Sequence, residues 1–344
     1  MAALRDVPLS VLDLAPVSSG SSSAAALRNS LDLARRVEQL GFHRYWVAEH
    51  HNMAGIASSS PAVLIGHIAG ATTSIRVGSG GVMLPNHTPL VVAEQFGMLE
   101  AFHPGRIDLG IGRAPGTDQI TASALRRSSD ISADEFPQDL QEVMAFFDGS
   151  FPSGHLYAQI TAVPALGNMP ELWLLGSSGY SAQLAAYLGL PFAFAHHFSP
   201  DNTLPALALY RDGFRPSATL HKPYAMVAAA VVCADSDERA RWLAQPGALS
   251  FLRLRAGRPG LLPSPEEAAA YPYTVAERQA MDMRQAHQII GDPDTVQRGL
   301  TDLLERTAAD ELMLTTIVHD HADRVRSYEL VAAAARQERG QAVR

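Results

Sequence analysis

One cysteine, Cys233, stands among the 344 residues, which excludes an intrachain disulfide. It follows an apolar run, Val227 to Val232, and reads as a core residue of a chain kept in a reducing compartment. Charge is also scarce. Charged residues make up 18% of the chain and the net charge is −8, which gives no basic footprint for nucleic acid or anionic membrane. No stretch reaches the roughly 18 apolar residues that a membrane helix needs. The longest apolar run, Ala225 to Ala234, reads as a buried strand. Met1 to Pro8 carries no apolar segment of a secretory signal. A soluble, cytoplasmic protein is the expectation. Two motifs are missing as well: no Gly-x-Gly-x-x-Gly follows a strand, and no His-Glu-x-x-His occurs.

Apolar residues, by contrast, make up 47% of the chain, enough for a large core. Apolar runs without polar alternation predict strands covered on both faces. They fall at Leu9–Leu12, Tyr45–Ala48, Ile75–Gly78, Arg106–Gly110, Leu172–Leu175, Phe192–Ala195, Ala225–Val232 and Glu311–Leu314. Amphipathic segments lie between them, among them Ala24–Leu40 ending at Gly41 and a helix opened by Thr88-Pro89. Eight strand–helix units predict a (β/α)8 TIM barrel formed as one domain over 1–344. Two stretches interrupt the alternation: 114–135 after the fourth strand, and 256–273 around the seventh, rich in Gly, Pro and Tyr. Both read as active-site lids or as plain exposed loops.

Most chemically distinctive residues follow predicted strand ends, which share one rim of a barrel. Glu49-His50-His51-Asn52 follows strand two, with His50 suited to general acid–base work. A structural histidine pair or a metal site is the alternative reading. Adjacent histidines rarely chelate one ion, and His319-x-His321 resembles the ligand pair of metal-dependent TIM hydrolases, but that pair belongs on strand one, where the chain has only Asp13. No metal is therefore expected. Ser79-Gly80-Gly81 follows strand three and would admit a flat ligand close to the backbone, or simply turn. Gly112-Arg113 follows strand four, and Gly176-Ser177-Ser178 opens the helix after strand five. Backbone N–H groups, the helix dipole, two hydroxyls and Arg113 would bind a phosphate. An ordinary serine cap and an ion-paired arginine are the bland alternatives. His196-His197 follows strand six as pocket lining or structure, while His319-Asp320 reads as a cap of the last helix.

Several of these strings resemble the bacterial-luciferase-like flavin monooxygenases, specifically the single-chain members. They are Arg44 to Asn52, Val77 to Pro85 with Ala93-Glu94-Gln95, Pro104 to Arg113, Trp173 to Ser178, and Ala185 to Pro191. The resemblance implies reduced FMN and oxygen acting on a small organic substrate through a flavin hydroperoxide. It implies a separate flavin reductase as the source of FMNH2, in a two-component system, and a homodimer. It places the flavin phosphate at Arg113, Ser177, Ser178 and Ser181. Gly80-Gly81 would lie against the ring across a non-prolyl cis peptide. Glu49 would be a flavin-side carboxylate, His50 the catalytic histidine, oriented by Glu49 or Asn52, and His196 would sit near ring and substrate. Gly112 stands where light-emitting members have a reactive cysteine, Ser177 where they have a carboxylate, and Gly80-Gly81 where the family pairs alanines. Light emission is therefore not implied. A deazaflavin-dependent dehydrogenase and a non-catalytic flavin-binding protein are the rival readings, with a metal-dependent hydrolase third.

Overall fold

The computed structural model describes residues 3–114, 117–126 and 135–337. Eight parallel strands form a closed barrel: β1 (Leu9–Asp13), β2 (Arg44–Val47), β3 (Arg76–Ser79), β4 (Ile107–Gly112), β5 (Glu171–Gly176), β6 (Phe192–Phe194), β7 (Ala225–Cys233) and β8 (Glu311–Thr315). Closure is made by β8, which pairs with β1 at Ser10↔Met313 and with β7 at Met313↔Ala228. All eight expected strands are present, with ends moved by one or two residues. Two short strands join them. Val82–Met83 continues along β4 beyond the end of β3, and Ile289–Gly291 adds to the end of β7.

The helices are α1 (Ser23–Gln39), α2 (Pro61–Ala71), α3 (Pro89–Phe102), α4 (Gln119–Arg126), α5 (Phe136–Asp148), α6 (Gly179–Leu188), α7 (Thr203–Gly213), α8 (Asp237–Arg255), α9 (Pro265–Ala270), α10 (Val275–Gln285), α11 (Pro293–Thr307) and α12 (His321–Gln337). Their ends follow local rules. Ser22 caps α1 by accepting from the Ala25 N–H, and α6 stops at Gly189, whose φ of 64° suits glycine. α3 opens on Pro89, while the Thr88 side chain makes no cap bond.

The two insertions contain more regular structure than expected. The 256–273 stretch includes α9 behind a Ser264/Glu267 capping box, and α10 follows behind a Thr274/Glu277 box. α8 runs on to Arg255. In the 114–135 stretch α4 is helical, and 115–116 and 127–134 lie outside the described residues. No helix among the described residues is long and apolar enough to cross a membrane.

Two layers fill the barrel. The larger core lies between strands and helices. Inside the barrel Trp46 and Trp173 meet edge to face at 5.3 Å, with Leu12, Met226 and Met313 around them. Beneath this layer, at the strand starts, is a charged floor. Arg44 donates to Asp108 at 2.9 Å and to Glu311 at 3.2 Å, and the Trp46 indole N–H donates to Asp108 at 2.8 Å. Arg76 and Glu171 complete the cluster. The floor seals the barrel and leaves its opposite end for chemistry.

Candidate active site

A cavity of about 310 Å³ opens where the strands end. Its wall is apolar and comes from most of the barrel: Leu12, Trp46, Leu175, Ala193, Ala228 and Met313. Its roof is built from three loops joined by backbone hydrogen bonds. Val17 N–H donates to Gly55 C=O, Ser19 N–H to Leu262 C=O, and Leu262 N–H to Val17 C=O, each at 2.8–2.9 Å. Pro16, Met53, Ile56, Pro259 and Leu262 line the cavity from these loops. The Gly, Pro-rich insertion is therefore bound to the barrel. His319 holds it too, with Nδ1 3.0 Å from the Pro263 carbonyl.

The quartet after β2 divides its labour. His50 lines the cavity, its backbone N–H donates to Ser58 C=O, and its Nδ1 is buried without a hydrogen-bond partner. Burial lowers its pKa, opposed by the charge of Glu49, and favours the neutral ring. Glu49 is fully buried and does not orient His50, contrary to expectation. Its carboxylate instead accepts from His51 Nε2 at 2.8 Å, His87 Nε2 at 2.7 Å and the Met83 N–H at 3.0 Å. Burial pushes its pKa up, but these donors outweigh burial and hold it below the ordinary value. Glu49 thus ties the chain after β3 to the end of β2. Asn52 does not orient His50 either, since its amide donates to Asp118 at 2.9 Å. His87 was missed by sequence reading, because it follows a short turn rather than a strand end. Glu49, His51 and His87 offer ligand atoms within 4.8 Å of one another, a set that could accept a metal. Both imidazoles already bond the carboxylate.

The peptide between Gly80 and Gly81 is cis, as expected. Gly80 lines the cavity beside His50. Ser79 does not offer its side chain to the cavity. Its hydroxyl donates to the Gly110 C=O at 2.9 Å and accepts from the Gly110 N–H at 3.0 Å, standing in for ladder bonds where β3 leaves β4. Gly81 is required by packing, because a Cβ there would fall 2.7 Å from the Gly110 carbonyl oxygen.

The expected phosphate residues assemble outside this cavity. Arg113 lies with its guanidinium carbon 4.1 Å from the Tyr180 ring centroid, at the start of α6. Ser178 occupies the N-cap of α6 in extended conformation, yet its side chain makes no cap bond. The ordinary serine cap is thus not formed, and Ser177 and Ser178 are exposed. Gly176 is needed for close packing, since its Cβ would lie 2.7 Å from that of buried Ser181.

His196 turns away from the cavity. Its Nδ1 lies 2.8 Å from the Thr203 hydroxyl, and it lines a separate groove of about 700 Å³ beside α7 and α11. The next residue, His197, lines the active cavity instead, because the chain turns after β6 and sends the two side chains to different sides. Asp13 is bound to Arg324 at 2.9 Å and to the Tyr45 hydroxyl at 2.6 Å. Asp320 accepts from the Ala322 and Asp323 N–H groups, the expected cap of α12.

Residues 7–311 match the family model for luciferase-like monooxygenases. The chain belongs to that family. This luciferase-like chain is 52% identical over 328 residues to the YvbT protein of Bacillus subtilis (strain 168), covering 95% of this chain and 96% of that one. It is 49% identical over 326 residues to the luciferase-like monooxygenase of Escherichia coli (strain K12), covering 95% and 96%. It is 34% identical over 329 residues to the N-acetyl-S-alkylcysteine monooxygenase of Bacillus subtilis (strain 168), covering 95% and 98%. Among solved structures, apo-MsnO8 superposes with a TM-score of 0.87 at 39% identity, covering 97% of this chain and 98% of that one. Two others share the fold. They are the oxygenating constituent of Pseudomonas putida diketocamphane monooxygenase with FMN (TM-score 0.69, 19% identity, 96% and 98% covered) and an F420-dependent secondary alcohol dehydrogenase (TM-score 0.67, 15% identity, 96% and 99% covered).

Proposed function

We propose that this luciferase-like chain is an FMN-dependent monooxygenase that uses reduced FMN and oxygen to oxygenate a small organic substrate. The observation that carries the reading is the buried, unpartnered Nδ1 of His50 in an apolar chamber beside Gly80. A buried polar atom without a partner is costly, which argues that a ligand completes it. The residues fit a flavin: a glycine edge for a flat ring, an uncapped helix start and an arginine for a phosphate. Bound reduced flavin supplies the electrons that activate oxygen.

The protein's own tasks follow from the geometry. Arg113, the Ser177 and Ser178 hydroxyls and the first N–H groups of α6 hold the phosphate, with Ser181 and Gly176 fixing that turn. Gly80 and Gly81 keep side chains away from the ring, and Gly112 leaves the β4 end open. His50 accepts or donates a proton at Nδ1, while Glu49 is a positioning residue. The roof of 256–264 excludes water from the chamber. A separate flavin reductase supplies FMNH2, as no nicotinamide motif is present.

The same fold accommodates FMN in the diketocamphane enzyme and an F420 adduct in the alcohol dehydrogenase, so fold alone does not choose between them. Purified protein titrated with FMN and with F420 should quench FMN fluorescence preferentially. Given FMNH2 and oxygen, it should slow flavin reoxidation relative to free FMNH2. His50→Ala should keep FMN affinity within about twofold and change the reoxidation rate by about 10²-fold or more. Preference for F420 with hydride transfer in the absence of oxygen would replace the monooxygenase by a dehydrogenase. Tight FMN binding without turnover would leave a binding protein, and an unchanged rate in His50→Ala would remove His50 from the chemistry.

A further inference from the structure

Buried arginines in this chain come with acids. Arg44 has Asp108 and Glu311, and Arg324 has Asp13. Arg284 does not. It sits in the last turn of α10 and lines the active cavity, with its guanidinium carbon 3.6 Å from the Phe251 ring centroid. Its Nε is buried without a hydrogen-bond partner. Among the described residues no acid forms an ion pair with it, and burial lowers its pKa to about 10 with no carboxylate opposing the shift. The Ser250 hydroxyl, one residue before Phe251 on α8, also lines the cavity and is likewise buried without a partner. Gln288 and His197 line the same cavity. A half-buried cation whose Nε is buried and unpartnered at an apolar chamber is an unfavourable arrangement unless an anion arrives to complete it.

We propose that Arg284 is the anion-recognition residue of this chamber, and that the substrate is an apolar molecule bearing a carboxylate, with Ser250 as a second donor. The proposal rests on the monooxygenase reading for the word substrate, but the anion site stands on its own geometry. Guanidinium and carboxylate match as a planar, two-bond pair, and the Phe251 face holds the guanidinium plane. The flavin phosphate is a second conceivable anion. Arg113 and the start of α6 lie outside the lining of this cavity and provide for it separately.

Calorimetric titration of the protein, with and without bound FMN, tests this with octanoate and its uncharged counterpart octanamide. Octanoate should bind on the order of tenfold more tightly, the effect of one charge-assisted pair. Arg284→Gln should reduce octanoate to the level of octanamide and leave octanamide within about twofold, while Arg284→Lys should keep part of the preference. The melting temperature of Arg284→Gln should fall by no more than the lost Phe251 contact accounts for, because no native ion pair is lost. FMN and riboflavin affinities should be unchanged in Arg284→Gln. Equal binding of acid and amide, failure of octanoate to bind, or a preference that survives Arg284→Gln overturns the proposal. So does a variant that weakens FMN but not riboflavin, which would assign Arg284 to the flavin phosphate. If the wild-type protein binds no FMN yet prefers octanoate through Arg284, the cofactor reading falls and the anion site stands.

Discussion

Gly110 and Gly112 sit two residues apart on β4 and face opposite constraints. A Cβ on Gly110 would fall 2.1 Å from the Ser79 carbonyl oxygen and 2.8 Å from Leu175, so backbone would have to move. A Cβ on Gly112 would find its nearest neighbour, the Met83 sulfur, at 3.6 Å, an ordinary contact. Gly110→Ala should therefore cost about 1–3 kcal/mol in urea unfolding, as overpacking does. Gly112→Cys, which restores the residue type of the light-emitting relatives, should stay within about 0.5 kcal/mol of the parent. A Gly112→Cys protein as unstable as Gly110→Ala would show that packing fixes this glycine. Both glycines are visible in the sequence, but their difference is not, because it depends on how closely β3 approaches β4. The histidines were similarly half legible. His50 was picked out by its place after an apolar strand, whereas the choice between His196 and His197 turns on which way a side chain points after β6 ends at Phe194.

Elements were legible where their patterns were local. Parallel strands buried on both faces read as apolar runs, and all eight stood out. The capping signals Ser264-x-x-Glu267 and Thr274-x-x-Glu277 were also in the sequence, but Gly, Pro and Tyr around them made the stretch look like loop. The joining of that stretch to two other loops could not be read at all, since residues 17, 55 and 262 meet only in three dimensions. At Gly55 in this roof a Cβ would fall 2.3 Å from the Gly260 carbonyl oxygen. Gly55→Ala should push the two loops apart without touching the barrel strands. Limited proteolysis should then cut within 256–264 several times faster than in the parent, with far-ultraviolet circular dichroism unchanged. Equal cleavage rates would mean that the roof does not depend on this contact.

The charged floor belongs to the whole molecule. Arg44, Asp108, Glu171 and Glu311 come together through barrel closure, so no sequence window contains them. Acid sensitivity is a property of the same scale. Burial lowers His197 to about 4 from an ordinary 6.5, opposed by its hydrogen bond to the Ala228 carbonyl. Between those values the unfolded chain holds a proton that the folded chain lacks, so stability rises with pH and is lost on acidification. His197 alone should account for a loss of about 2 kcal/mol by pH 5. His43, His50, His103 and His196 are shifted the same way. His197→Asn should reduce the drop in melting temperature between pH 7 and pH 5, and an undiminished drop would remove His197 as a contributor. An exposed apolar stripe belongs to the same scale. Val91, Met98 and Phe102 recur at helical spacing on α3 and are 43%, 50% and 74% exposed, and Val63 on neighbouring α2 is 62% exposed. Such a stripe is unfavourable in water and, on a barrel, suits packing against its own copy about a two-fold axis, the homodimer proposed from the resemblance. Light scattering on the eluting protein should give twice the chain mass. Met98→Glu with Phe102→Glu should halve that mass while the barrel's circular dichroism persists, because both side chains face outward. A parent protein that elutes as a monomer, or a double variant that remains dimeric, would move the interface off this face.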